Sequence, residues 1–152
     1  MNFQSKWDKR FMNIAKEVSS WSKDPSTKIG AVIVDEQNRI VSVGYNGFPR
    51  NVPDCNDYYE NRELKYELIV HAEVNAILNA NKSLDNCRIY VYPTLMHPNV
   101  CPNCAKTLAQ TGIKEVIAFD GDTAERWQKV ANISKFICDS ANITYRKIDE
   151  QG

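Results

Sequence analysis

The clearest hydrophobic pattern lies near the start of the chain. One apolar face of a helix is formed by residues that recur at helical spacing: Trp7, Phe11, Ile14, Ala15 and Val18. Pro25 disfavours helical backbone in the residue before it, so we predict that Pro25 ends this helix. Two β-branched runs follow at 29–35 and 39–45, about one hairpin turn apart. They predict a pair of antiparallel strands.

From residue 71 onward, helical and strand patterns alternate. Helical patterns cover 71–81, 102–111 and a final stretch after Glu125, and strand patterns cover 88–92, 114–119 and 142–148. In the first of these helices Val74, Ile77 and Leu78 share one side, and Asp122 stands at capping-box spacing from Glu125. Between the hairpin and residue 71 we expect a loop over 46–57 and a helical stretch over 60–69. Together these elements predict one α/β domain over 1–152, a three-layer α/β/α arrangement with a central mixed sheet of about five strands.

Charge and composition narrow the class of function. Lys plus Arg total 19 and Asp plus Glu total 19, so the formal net charge is zero, which disfavours a nucleic-acid partner held by a basic surface. No apolar run approaches the ~20 residues that cross a bilayer, and residues 1–10 lack the pattern of a secretory signal. The five cysteines do not suggest a disulfide framework. We therefore expect a cytoplasmic protein without a membrane partner.

Two short motifs at predicted helix starts carry the candidate chemistry. His71, Cys101 and Cys104 are imidazole and thiolate donors, which zinc prefers, and three protein ligands leave the fourth tetrahedral position for water. A catalytic zinc ion lowers the pKa of such a water from ~15.7 towards ~7. Glu73, two residues after His71, is then placed to move protons. The combination H-x-E followed by P-C-x-x-C is typical of zinc nucleobase deaminases.

Each motif alone also has a simpler interpretation. Cys101 and Cys104 could form a redox dithiol, or half of a structural zinc site whose other half the chain lacks. His71 alone would be a hydrogen-bonded structural histidine, the interpretation that we keep for His97 in its predicted loop. Only the joint pattern favours a catalytic zinc centre, and a non-catalytic zinc or thiol module stays open as an alternative.

The chain resembles the deoxycytidylate deaminase family of the cytidine deaminase-like superfamily. The resemblance covers about residues 5–148. It rests on blocks of sequence that extend well beyond the zinc ligands, at 22–34, 44–49, 65–66, 71–77, 101–106 and 110–116. The block Gly44-Tyr-Asn-Gly-Phe-Pro49 separates this family from most other zinc deaminases. Where the family usually has proline before the first cysteine, this chain has Val100, and the link over 92–100 is longer than usual.

The resemblance implies hydrolysis of dCMP to dUMP and ammonia, which supplies dUMP for thymidylate synthesis. In that reaction hydroxide attacks C4 of the base and Glu73 shuttles protons. It implies that His71, Cys101 and Cys104 bind one zinc ion, that the Ala72 backbone holds the base, and that Asn46 hydrogen-bonds the sugar. It also implies a homo-oligomer, with a hexamer favoured, and regulation by dCTP and dTTP with Mg²⁺.

The phosphate-binding residues do not transfer from the family, because the 50–62 loop differs. On charge alone the candidates are Arg50, Arg62 and Lys65, and the alternative for each is an ordinary solvated surface charge. Alternative substrates are dCTP, a free nucleoside or base, and a base within a polynucleotide. A polynucleotide is disfavoured because the binding of a single strand needs a basic groove.

Overall fold

The architecture is a sheet covered by helices on both faces, as the sequence predicts. A computed structural model describes residues 5–94 and 100–150. Its helices are α1 (Lys6–Ser19), α2 (Asn56–Glu60), α3 (Arg62–Leu68), α4 (Ala72–Asn79), α5 (Pro102–Ala109) and α6 (Glu125–Ser140). Its strands are β1 (Gly30–Val34), β2 (Ile40–Tyr45), β3 (Arg88–Tyr92), β4 (Glu115–Phe119) and β5 (Thr144–Ile148). His97 and most of the link before Cys101 lie outside the described residues.

The five strands form one mixed sheet in the order β2-β1-β3-β4-β5. Strand β1 runs antiparallel to both β2 and β3, whereas β3, β4 and β5 are mutually parallel. The hairpin and the alternating helix–strand pattern are thereby confirmed. None of the helices in these two ranges is long and apolar enough to cross a membrane.

The sheet separates two apolar cores. On one face α1 packs Phe11, Met12 and Ala15 against the strands. The other face is covered by α4, α5 and α6, which contribute Ala76, Leu108 and other small or branched residues to a larger cluster. Both faces of the central strands are therefore dry, which explains why β1 reads as a continuous apolar run rather than an alternating one.

Helix α1 starts as a capping box and ends earlier than the sequence predicts. The Ser5 hydroxyl accepts the Asp8 N–H at 3.1 Å, and the Asp8 carboxylate accepts the Ser5 N–H at 3.1 Å. At the other end the Ser19 and Ser20 hydroxyls donate to the carbonyls of Lys16 and Glu17. The prediction that Pro25 ends this helix is wrong, because serine side chains compete for the last carbonyls six residues before the proline is reached.

The side predicted to be apolar on helix α4 is only partly buried, because Val74 and Ile77 pack against the larger core cluster but Leu78 does not. Leu78 is 71% exposed, while Ala72, Glu73 and Ala76 are buried. The reason is the close approach of β2: a Cβ added to Gly44 would lie 2.3 Å from the Ala76 nitrogen and 2.5 Å from the Ala72 carbonyl oxygen. Small residues on both elements let the backbones meet, so the larger aliphatic residues of α4 turn to the side or outward.

The capping box predicted for the last helix is also absent. The residue at the N-cap of α6 is Ala124, which offers no side-chain acceptor, and the helix begins at Glu125. Asp122 therefore lies two residues before the cap, too early for the predicted exchange of hydrogen bonds. The buried face of α6 includes Ala131, Ser134 and Cys138.

Candidate active site

The first half of the site is the start of α4. Just before it, Gly47 and Val70 form an isolated antiparallel bridge, with N–H to carbonyl distances of 3.1 and 2.7 Å. This bridge holds the residue ahead of His71 against the segment that follows β2. His71 is the N-cap of α4 in extended conformation, and its carbonyl accepts the Asn75 N–H at 3.0 Å. Its side chain is thereby free to point away from the helix axis.

The second half is the start of α5. Cys101 is the N-cap, Pro102 occupies the first turn, and the Cys101 Sγ accepts the Cys104 N–H at 3.4 Å. Proline suits this position because its missing N–H needs no partner in the first turn. One helical turn brings both sulfurs to the same side of α5, and the amide dipoles at a helix start favour thiolate.

These two helix starts bring three donors together. The His71 Nδ1 lies 3.2 Å from the Sγ of Cys101 and 3.2 Å from the Sγ of Cys104. All three ligand atoms lie within 4.8 Å of one another. A tetrahedral zinc ion with ordinary Zn–S and Zn–N bonds separates such donors by about 3.5 Å. The donor types and their spacing therefore fit zinc.

The titration behaviour of the three groups agrees with a shared site. A hydrogen bond from the Cys104 thiol, helped by His71, lowers the pKa of Cys101 to about 4 despite burial. The hydrogen bond to Cys101 and burial together raise the pKa of Cys104 far above its usual range. Hydrogen bonding to Cys101 raises the pKa of His71. A cation bound by these three donors would compete with protons for them.

Glu73 stands beside the three donors. It is 6% exposed, and burial raises the pKa of its carboxyl, with the charge on His71 opposing the rise. Its side chain also interacts with the Cys104 thiol. A buried carboxyl with a raised pKa takes up and releases protons closer to neutral pH than an exposed one.

Asn46 is buried at the end of β2 and is already hydrogen-bonded on both sides of its amide. Its Oδ1 accepts the Ile29 N–H at 2.8 Å, and its Nδ2 donates to the Thr27 carbonyl at 2.8 Å. Its own carbonyl accepts the Ser22 hydroxyl at 2.8 Å. Asn46 therefore ties the 22–29 loop to the segment leading to the Gly47–Val70 bridge, and one amide proton and one lone pair remain for a ligand.

The three basic candidates have different surroundings. Lys65, on α3, forms a 2.8 Å ion pair with the Asp24 carboxylate, and its Nζ also lies 3.0 Å from the Ser26 Oγ. The side chains in that pair are 13% and 1% exposed. Arg50 and Arg62 are exposed, and neither makes an ion pair with the other described residues.

The sequence patterns did not indicate the structural role of Asp24, which is buried and holds both a turn and Lys65. Its Oδ1 accepts the N–H groups of Ser26 at 2.9 Å and Thr27 at 3.1 Å, so it organises the turn before β1 as well as binding Lys65. An aspartate before a proline and two hydroxyl residues is typical of a surface turn, and no local signal shows that this one is buried.

Comparison with known proteins places the chain in a family. The model for the zinc-binding region of cytidine and deoxycytidylate deaminases matches residues 5–120. The chain belongs to this family. An uncharacterized deaminase of Aliivibrio fischeri is 46% identical over 143 residues, with 91% of each chain covered. Human deoxycytidylate deaminase is 36% identical over 147 residues, which cover 93% of this chain and 79% of the human one.

Solved structures show the same fold at lower sequence identity. The dCMP deaminase of cyanophage S-TIM5, determined in complex with dCMP and dUMP, matches with a TM-score of 0.73 and 21% identity. The match covers 96% of this chain and 99% of the phage chain. The family assignment thus agrees with the resemblance seen in the sequence, and the cytidine deaminase-like α/β fold is confirmed.

Proposed function

We propose that this member of the family is a zinc-dependent deaminase that hydrolyses dCMP to dUMP and ammonia. The observation that carries the proposal is the convergence of His71, Cys101 and Cys104 beside the buried carboxyl of Glu73. Mammalian relatives at 35–37% identity bear the name deoxycytidylate deaminase, which favours the nucleoside monophosphate as substrate.

In the proposed reaction His71, Cys101 and Cys104 hold the zinc ion. When bound, zinc supplies a Lewis acid that makes water acidic near neutral pH. Glu73 accepts a proton from the attacking water and delivers it to N3 of the base. It then takes the remaining proton of that water from the hydroxyl on C4 and passes it to the leaving amine. Its burial keeps bulk water from competing for these transfers.

The base and the sugar are assigned to neighbouring backbone and amide groups. Ala72, between His71 and Glu73, is fully buried at the first position of α4, and we assign its backbone to holding the base. We assign the remaining hydrogen-bonding capacity of Asn46 to a sugar hydroxyl. The rigid bonds of Asn46 to Ile29 and Thr27 support this role, because they orient the amide before substrate arrives.

For the phosphate, Arg50 and Arg62 are better candidates than Lys65. Both arginines are free of ion pairs within the described part of the chain, whereas the Lys65 ammonium already neutralises Asp24. Guanidinium groups also match phosphate oxygens in a bidentate way. A phosphate bound by Lys65 would have to compete with a buried carboxylate 2.8 Å away.

Several further expectations stay predictions. They are assembly into a homo-oligomer, with a hexamer favoured, regulation by dCTP and dTTP, and Mg²⁺ accompanying the effector. A cytoplasmic location also remains a prediction, supported by the five cysteines, all of which are free thiols.

The deciding experiment is a deamination assay of the zinc-loaded protein on cytidine, CMP, dCMP and dCTP, each with and without dCTP or dTTP as effector. We expect ammonia release to be fastest with dCMP. Faster turnover of dCTP or a nucleoside would reassign the substrate, and zinc binding without turnover of any of them would indicate a non-catalytic module. Activity on single-stranded DNA that falls steeply with salt would indicate a polynucleotide substrate.

Loss of a ligand tests the metal site directly. Cys104→Ala leaves two of three donors, so we expect zinc content and ammonia release to fall together. The measurement is metal analysis of the purified variant beside Cys87→Ala, which removes a buried thiol that belongs to no donor group among residues 5–94 and 100–150. A Cys104→Ala protein that keeps one zinc per chain would show that the site lies elsewhere.

A further inference from the structure

The backbone of Val100 is held on both sides by side chains from other elements. Its N–H donates to the Tyr145 hydroxyl, on β5, at 3.0 Å. Its carbonyl accepts a short hydrogen bond from the Ser134 hydroxyl, on α6. Val100 is 3% exposed and Ser134 is fully buried, so water does not replace either bond. The backbone N–H and carbonyl of Val100 are thus both hydrogen-bonded, each to a side chain distant in sequence.

This segment ends at the metal site. Val100 directly precedes Cys101, whose Sγ is one of the three donors. The sulfur position depends on the backbone at its Cα. That backbone is the N-cap of α5, whose carbonyl accepts the Ala105 N–H at 2.9 Å but whose N–H side receives no support from the helix. Any contact that holds Val100 therefore limits how far the Cys101 sulfur moves.

The Tyr145 hydroxyl is itself anchored. It lies 3.4 Å from the Sγ of Cys138, a buried thiol one turn along α6 from Ser134. Burial raises the pKa of Tyr145 far above its usual range, so the hydroxyl stays neutral. A neutral, fixed hydroxyl accepts from the Val100 N–H and keeps its own proton for a second partner.

We propose that Ser134 and Tyr145 form a backbone clamp on Val100 that positions the zinc ligand Cys101. The inference rests on the proposed zinc site and adds two positioning residues to it, neither of which belongs to the donor group of His71, Cys101 and Cys104. It also accounts for Val100 itself. The deaminase signature has proline before the first cysteine, which has no N–H to satisfy. Valine introduces a buried donor at that position, and Tyr145 supplies its acceptor.

The test compares two tyrosine-to-phenylalanine variants. Tyr145→Phe removes the acceptor of the Val100 N–H. Tyr90→Phe removes another tyrosine hydroxyl, which accepts from Arg88 at 2.9 Å and donates to the buried Asp8 at 2.6 Å on the other side of the sheet. For both variants we measure the transfer of zinc from the loaded protein to a chromogenic chelator. The free energy of unfolding of the zinc-free protein is measured separately.

We expect Tyr145→Phe to weaken zinc retention by about 10–100-fold, as is typical when a group that orients a metal ligand is lost. Tyr90→Phe should keep the wild-type rate of zinc transfer even where the zinc-free protein becomes less stable. Equal zinc transfer from the two variants would overturn the clamp. A wild-type protein that binds no zinc would instead overturn the proposed function, and the clamp with it.

A double-mutant comparison separates the clamp from general damage. In a Val100→Pro background there is no N–H to accept, so adding Tyr145→Phe should change zinc transfer by less than about 2-fold. If the phenylalanine substitution weakens zinc binding as much in that background as alone, the hydrogen bond is not the cause and the clamp is refuted. Where Tyr145→Phe does not fold, Ser134→Ala removes the other half and takes its place against Tyr90→Phe.

Discussion

At the scale of the residue, burial decides the behaviour of two charged side chains, Glu73 in the candidate site and Lys65 on α3. Glu73 lies beside the three donor side chains and among the small residues of α4. Burial disfavours the ionised carboxylate and therefore raises its pKa. Lys65 differs from Glu73, because its ammonium group forms an ion pair with the buried carboxylate of Asp24 and is thereby neutralised. Both roles are decided by the immediate surroundings rather than by residue type.

Glu73→Gln removes the titratable group and keeps the shape of the side chain. We expect zinc content and fold to be retained and ammonia release from dCMP to fall by at least ~10²-fold, because general acid–base assistance contributes about 10²–10⁴. The measurement is the turnover rate of zinc-loaded protein together with metal analysis. Wild-type turnover in this variant would remove Glu73 from the mechanism.

Lys65→Met leaves the Asp24 carboxylate buried without its cation. Because an uncompensated buried charge costs about 3–5 kcal/mol, we expect a large loss in the free energy of unfolding in urea. Adding Asp24→Asn removes the orphaned charge and should recover part of that loss. A stable Lys65→Met protein with a raised KM for dCMP would instead show that Lys65 binds the phosphate.

At the scale of the element, the position of α4 follows from the absence of a side chain on β2. The Cα of Gly44 faces the helix backbone at Ala72 and Ala76, so the start of α4, which carries the proposed catalytic residue Glu73, sits closer to the sheet than any larger residue would permit. Asn75 and Asn79 then donate from α4 to the Tyr45 and Val43 carbonyls of the edge strand, at 2.8 and 3.0 Å. These bonds also cover part of a strand edge that could otherwise pair with another chain.

Gly44→Ala places a methyl group against backbone atoms that cannot rotate away. We expect a loss of at least about 1–3 kcal/mol in the free energy of unfolding, together with weaker zinc binding, because α4 must shift. Gly47→Ala is the matched control, since a Cβ there meets nothing within 4 Å. Thermal unfolding and metal analysis of both variants test this, and equal stability of the two would contradict the account of α4.

At the scale of the whole molecule, one carboxylate joins the first helix to the last strand. Asp8 caps α1, accepts a bidentate pair of bonds from Arg146 on β5 at 2.5 and 2.9 Å, and accepts the Tyr90 hydroxyl on β3 at 2.6 Å. Burial raises the pKa of Asp8, but the bonds from Arg146, Tyr90 and the Ser5 N–H outweigh it and hold the pKa below its ordinary 3.8. Two elements at opposite ends of the chain thus depend on one ionised group.

This linkage predicts how stability varies with acid. In the unfolded chain Asp8 takes up its proton near pH 3.8, and in the folded protein only at lower pH. Its stabilisation is therefore complete above about pH 5 and is lost as pH falls through the lowered folded-state pKa. We expect zinc-free Asp8→Asn to be less stable than wild type at pH 7 and to lose less stability between pH 5 and 3. Urea unfolding that shows the same loss in free energy of unfolding between pH 5 and pH 3 for both proteins would contradict this.

The sequence by itself determined the types and order of the main elements and the chemistry of the site. Side-chain periodicity reports which face of a helix or strand is apolar, and Cys101 and Cys104 lie within one helical turn, so their convergence is a local property. Local patterns were wrong where a competing contact decided the outcome, as with Leu78, whose helix turned its small residues towards Gly44.

Only the tertiary structure decided which polar groups serve as partners. Lys65 and Ser26 are 39 positions apart, and Tyr145 and Val100 are 45 apart. Spacing along a chain carries no information on such pairs, because their meeting depends on how helices pack on the sheet. A buried polar group must nevertheless find a partner or lose free energy. The folded arrangement therefore assigned Lys65 to Asp24, Asn46 to the 22–29 loop and Tyr145 to the backbone beside Cys101.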